Sequence, residues 1–189
     1  ESYGLINPND EETARSLSRD GSIAIPRWRH ALINFPHPLL KQGLVILDTP
    51  GLNAIGTEPE LTLSMLPSAH AVLFLLAADT GVTKSDIEIW RHHIAPVQAS
   101  SRARLVVLNK IDGLWDELKS PAEIDAEIAK QIASSADLLD LPASQVYPVS
   151  AQKALVAKVR NNQDLLARSR LPDLEAALSQ ELIPCKQSL

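Results

Sequence analysis

Cysteine is almost missing. Cys185 stands alone in 189 residues, so neither an internal disulfide nor a cysteine metal cluster can form, and a reducing compartment is expected, the cytoplasm. Aromatic side chains make up only 4%, which leaves the core to aliphatic residues. Basic charge is in deficit, 18 Lys and Arg against 23 Asp and Glu. A net charge of -5 argues against a broad nucleic-acid face, and no nucleic-acid partner is expected. No apolar run is long: 71-AVLFLLAA-78 falls far short of the roughly 20 residues of a spanning helix. No secretory signal pattern is visible, and the chain opens on Glu1 rather than Met, as a fragment would. Glycine is scarce too, seven in all and none from 151 to 189. Repeats and low-complexity segments are not found.

What is present is a set of short aliphatic runs, 44-LVIL-47, 71-AVLFLLA-77, 105-LVVL-108 and 146-VYPV-149. None alternates cleanly with polar residues, so each reads as a strand buried on both faces of a parallel sheet. A further strand is expected over 28-WRHALINF-35, turned back toward Leu44 by 36-PHPLLKQG-43. Helical patterns lie between the runs. Thr83 and Asp86 form a capping box ahead of Ile87, Trp90 and Ile94. Ser120, Pro121 and Glu123 start a helix carrying Ile124, Ile128 and Ile132 on one face. Residues 150–169 read as helix with a soft middle at Asn161-Asn162, and Pro172 and Asp173 open a last helix with Leu174, Leu178 and Leu182. Alternating strands and helices imply an α/β sandwich with right-handed crossovers, whose ligands gather at the carboxyl ends of the strands.

Polar motifs stand at three of those ends: 48-DTPG-51, 109-NKID-112, and 150-SA-151 in 149-VSAQK-153. Asp48 precedes Asn109 by 61 residues, and Asp112 precedes Ser150 by 38. Singly, each has a plain reading. Asp-x-x-Gly is a common turn, and Asn and Asp cap helices. In this order, each closing an aliphatic run, they form a set that the plain readings do not account for.

The trio resembles the later three nucleotide motifs of the Ras-type GTPase domain. The text from 48-DTPGLNAIGTEPE-60 through 86-DIEIW-90 is similar, more narrowly, to bacterial dynamin-like large GTPases, over roughly Trp28 to Pro184. The resemblance implies a three-layer α/β sandwich of the P-loop GTPase type, mostly parallel with one antiparallel edge strand. All of 1–189 would be a partial GTPase domain. It implies GTP or GDP as ligand, with Asn109, Lys110, Asp112, Ser150 and Ala151 at the base. Asp48 would reach Mg²⁺ through a water, Gly51 would contact the γ-phosphate, and residues 52–60 would be the switch loop. Base choice also has its own chemistry. Guanine offers N1–H and the N2 amine side by side, and one carboxylate such as Asp112 can accept both. Adenine presents an acceptor there. A mismatch of that kind can reject a ligand by roughly 10⁴.

A phosphate cradle, G-x-x-x-x-G-K-[ST], is absent. 51-GLNAIGTE-58 has the glycine spacing but puts Thr57 and Glu58 where Lys and Ser/Thr belong. The cradle and its strand are therefore expected upstream of Glu1, and the chain alone is expected to be inactive. Neither Thr13 nor Thr49 has the context of a metal-binding switch threonine. Leu52 stands where Ras-like proteins carry a water-orienting glutamine, so catalysis would rest on positioning and charge stabilisation, aided by self-association across the nucleotide face. The resemblance further implies membrane remodelling, with peripheral membrane contact made by regions outside this chain. Two alternatives stand beside it, an Era-like ribosome or translation GTPase and a catalytically silent interaction module. Among other residues, His92 and His93 point to different sides of a helix and make a poor chelate. Asp79 reads first as a cap for its turn and second as a residue facing nucleotide or partner. Trp28, Trp90 and Trp115 read as packing residues, and the basic residues of 153–170 as a solvated face.

Overall fold

Aliphatic runs become strands only where a neighbour completes their hydrogen bonds, and this chain shows both outcomes. The computed structural model describes residues 32–49, 63, 65–96 and 103–185, in two units, Glu1–Leu61 and Thr62–Leu189. In the first unit the described residues hold one short helix, α1 (Pro38–Lys41), with the His37 ring accepting the Leu39 N–H at 3.4 Å. The chain leaves it through Gly43 at φ 88, a conformation glycine adopts without a steric cost.

The described residues of the second unit are built on three parallel strands, β1 (Ala71–Ala77), β2 (Ala103–Asn109) and β3 (Val146–Pro148), in the order β1-β2-β3. Ala77 pairs with Asn109 and Leu108 with Pro148, so all three strands end at nearly the same level. The Ala78 N–H donates to the Asn109 carbonyl at 2.8 Å, and the Val149 N–H to the Leu108 carbonyl at 2.9 Å. These two bonds carry the pairing one step beyond the strands and hold the following loops side by side.

Helices cross between the strands. α2 (Lys84–Ile89) starts at a complete capping box. Thr83 Oγ1 accepts the Asp86 N–H at 3.2 Å, and Asp86 accepts the Thr83 N–H at 2.9 Å. It widens into a π turn over Trp90–Ile94. α3 (Pro121–Leu139) has the same device at Ser120 and Glu123, and it stops at Asp140 in the left-handed region. Phe74, Leu76, Val106 and Leu108 form one face of the sheet and pack with Trp90, Ile94, Ile124 and Ile128 into the core. Trp90 Nε1–H donates to the Leu139 carbonyl at 3.0 Å, which ties the end of α2 to the end of α3 and satisfies a buried donor. After β3 come α4 (Ala151–Arg160), α5 (Gln163–Arg168) and α6 (Leu171–Cys185). The soft middle is a cap-to-cap junction. Asn161 ends α4 at φ 51, and the Asn162 side chain accepts the Leu165 N–H at 2.9 Å to start α5. Leu174 and Leu178 of α6 are buried.

Two strand expectations need correction. Residues 44–49 form no strand, and Val45, Ile46 and Leu47 are 81%, 68% and 58% exposed. Their pattern fits a strand, but a strand exists only through its ladder partners, and none is formed by the described residues of this segment. Residues 32–35 are likewise irregular, while 28–31 lie outside the described residues. β1 is also not buried on both faces. Phe74 and Leu76 are buried, whereas Leu75 is 61% exposed. Among the described residues β1 has a strand on one side, whereas β2, between two strands, buries Leu105 through Leu108 on both faces.

Candidate functional site

Three loops leave the carboxyl edge of the sheet together, and they bring Asn109, Lys110, Asp112, Ser150 and Ala151 into one place. Asn109 is the last residue of β2. Its Oδ1 accepts the Lys110 N–H at 2.8 Å and the Ala151 N–H at 3.1 Å, joining the β2 loop to the β3 loop. Lys110 sits at φ 64, ψ 30, an uncommon conformation for a lysine, and starts the 3-10 turn Ile111–Leu114. Ile111 is fully buried and donates its N–H to the Val149 carbonyl at 3.4 Å, so the turn is nailed to the sheet. Strained backbone held this firmly is typical of a working site.

Asp112 is held by Ser150. The serine hydroxyl donates to Asp112 Oδ1 at 2.6 Å and accepts the Lys153 N–H at 3.2 Å as the cap of α4. Ser150 is wholly buried, and its N–H donates to the Ser169 carbonyl at 2.9 Å. Asp112 Oδ2 and the Asn109 amide nitrogen have no partner among the described residues. The arrangement therefore leaves one carboxylate oxygen and one amide donor for a ligand, both on side chains already fixed by other bonds.

An open cleft of about 360 Å³ lies over these residues, lined by Asp79, Asn109, Lys110, Asp112, Gly113 and Gln152. That volume is at the small end of the roughly 300–1,000 Å³ usual for small-molecule sites. Gln152, in the first turn of α4, follows directly on the 150-SA-151 motif, and that adjacency is the sequence signal for its place in the lining. Asp79 does not cap its turn: the Gly81 N–H bonds to the Ala77 carbonyl at 2.9 Å, and the Asp79 carboxylate reaches Lys110 Nζ at 3.3 Å. Ser150 and the Ala151 N–H brace Asp112 and Asn109 here, so their donors are engaged within the protein. Asp48 belongs to the first unit, and Gly51 and the 52–60 loop lie outside the described residues. Trp115 stacks under the Arg168 guanidinium at 4.0 Å, and Trp90 is core, as packing residues should be. No group of three His, Cys, Asp or Glu that could hold a metal is found among the described residues.

Residues 6–111, more than half of the sequence, match the Dynamin family. The chain belongs to the dynamin family. Among curated relatives of this dynamin-family chain, a bacterial dynamin-like protein of Nostoc punctiforme is 25% identical over 130 residues, 69% of this chain and 18% of that protein. A probable chloroplastic transmembrane GTPase, FZO-like, of Arabidopsis thaliana is 33% identical over 145 residues, 75% of this chain and 14% of that protein. The chain thus spans less than a fifth of either relative's length. In fold it is similar to LeoA, a bacterial dynamin GTPase from ETEC, with a TM-score of 0.50 and 20% identity over 68% of this chain and 25% of that one. The parallel sheet with crossing helices is accordingly of the P-loop GTPase type. No helix among the described residues is long and apolar enough to cross a membrane.

Proposed function

We propose that this dynamin-family chain carries the guanine-recognising part of a GTP hydrolase. The observation that supports it most is the Asp112 carboxylate, fixed by the buried Ser150 hydroxyl at 2.6 Å and open at its second oxygen beside the cleft. Each carboxylate oxygen has two lone-pair sites, so Oδ1 can keep Ser150 while the pair accepts N1–H and N2–H of guanine. The Asn109 amide then donates to the acceptor side of the purine. The methylenes of Lys110 lie along its face, where they exclude water.

Mg²⁺ belongs to the phosphate end of this reading. The cleft's two acids, Asp79 and Asp112, are each engaged, with Lys110 and Ser150, and form no metal cluster. Mg²⁺ asks for less than a cage, about one or two carboxylates plus waters and phosphate oxygens, and Asp48 fits that demand chemically. When bound, the ion neutralises phosphate charge. The protein's own part is to hold the nucleotide at its base and, through Asp48 and the Gly51 N–H, to meet the metal and the γ-phosphate.

Membrane remodelling, peripheral attachment and self-association across the nucleotide face are the finer parts of the proposal, carried by family membership. GTP-dependent light scattering and vesicle sedimentation test them. Base recognition is tested by Asp112→Asn. GTP should bind more weakly and xanthosine triphosphate better, because the amide can donate to the 2-oxygen of xanthine. Unchanged GTP affinity in a folded variant refutes the assignment. GTP binding by the complete protein without any turnover would instead mark a silent interaction module.

A further inference from the structure

We infer that Asp79 is a positioning residue for the nucleotide, acting through Lys110. The inference rests on the guanine reading above and extends it to a residue outside the three motifs. Register puts the two residues together. Ala77 faces Asn109, and the Ala78 N–H to Asn109 carbonyl bond continues the pairing, so Asp79, two residues past Ala77, and Lys110, one past Asn109, leave adjacent strands within reach of each other. The Asp79 carboxylate makes its one hydrogen bond among the described residues to Lys110 Nζ, at 3.3 Å. Its own turn closes without it, through the Gly81 and Thr80 N–H groups on the Ala77 carbonyl.

A lysine side chain is a poor wall for a planar base unless something fixes its far end, because four rotatable bonds leave it many rotamers. The left-handed backbone of Lys110 fixes where the side chain starts, and Asp79 fixes where it ends. Between these anchors the methylenes stand along the cleft that both residues line. Binding the purine then orders less of the protein, and preorganisation of this kind appears as affinity. The side chains are 60% and 49% exposed, so the effect is small, about two- to fivefold in the dissociation constant. It acts at the base, so it is the same for nucleotides with any number of phosphates.

The test is a double-mutant cycle on the complete protein, with dissociation constants measured for GTP, GDP and guanosine. Asp79→Asn should weaken all three by the same factor, and Asp79→Glu should recover part of the loss. In a Lys110→Met background, which keeps an unbranched apolar stem and drops the charge, Asp79→Asn should change nothing further. An equal loss in both backgrounds, no loss in the parent, or a loss that grows with phosphate number or falls at high protein concentration overturns the inference. Asp112→Asn, run alongside, separates the two ideas. If it shifts preference toward xanthosine nucleotides while the cycle shows no coupling, only the Asp79 role fails. If it leaves GTP binding untouched, the base reading itself fails.

Discussion

Replacing Ser150 with alanine removes two bonds from one buried atom. The hydroxyl caps α4 through the Lys153 N–H at 3.2 Å, and the loss of such a cap costs about 1 kcal/mol. It also donates to the Asp112 carboxylate at 2.6 Å, a charge-assisted bond worth about 1.5–3 kcal/mol. Asp112 is only half-buried, so water can replace part of that bond and the lower figure applies. Ser150→Ala should therefore lower stability by about 2–3 kcal/mol, or the melting temperature by roughly 4–12 °C in a domain of this size. Urea unfolding monitored by tryptophan fluorescence measures it. The same variant frees the Asp112 side chain, and GTP affinity should fall by about tenfold, as one hydrogen bond's worth of positioning is lost. A loss below about 0.5 kcal/mol, which is ordinary for a neutral surface change, together with unaltered GTP affinity would refute the bracing role.

Trp90→Phe keeps an aromatic ring but leaves the Leu139 carbonyl without its donor, so unfolding should become easier by about 1–3 kcal/mol in the same assay. The Glu123 carboxyl is held below its ordinary value of 4.5 by the Ser120 hydroxyl and then by the Ser120 N–H. The unfolded chain therefore binds the proton first, and the contribution is present above about pH 4.5 and lost as pH falls through the folded value. Glu123→Gln should flatten that part of the urea-midpoint profile and lower the midpoint on its neutral side, with the two proteins converging as pH falls below the folded value. Asn161 sits at φ 51, so Asn161→Ala should destabilise by about 1 kcal/mol while Asn161→Gly is neutral or better, as thermal melts can show.

How much of this was legible in the sequence depends on whether a residue's role is local. β1 spans the same residues as its aliphatic run, and both capping boxes formed at the residues that spell them, because these signals act over three or four positions. The Asn161-Asn162 break was readable for the same reason: asparagine both tolerates the left-handed region and caps a helix. Residues 44–47 show the opposite case. Their aliphatic pattern says strand, but a ladder partner decides, and no local pattern encodes that partner. The exposed face of β1 is again a matter of neighbours. At the site, the residue types pointed to base recognition. That Lys110 takes a left-handed backbone held by the Asn109 side chain, and that Asp79 reaches it across the sheet, follows from register and could not be read along the chain.

The most direct test of base recognition compares three ligands on the unmodified, complete protein: GTP, inosine triphosphate and ATP, by isothermal titration. Inosine lacks only the N2 amine, so one charge-assisted bond to Asp112 is lost, and binding should weaken by about ten- to a hundredfold. ATP, with an acceptor facing the carboxylate, should bind too weakly to measure. Equal affinities for GTP and the inosine nucleotide, or comparable binding of ATP, would contradict the assignment of Asp112.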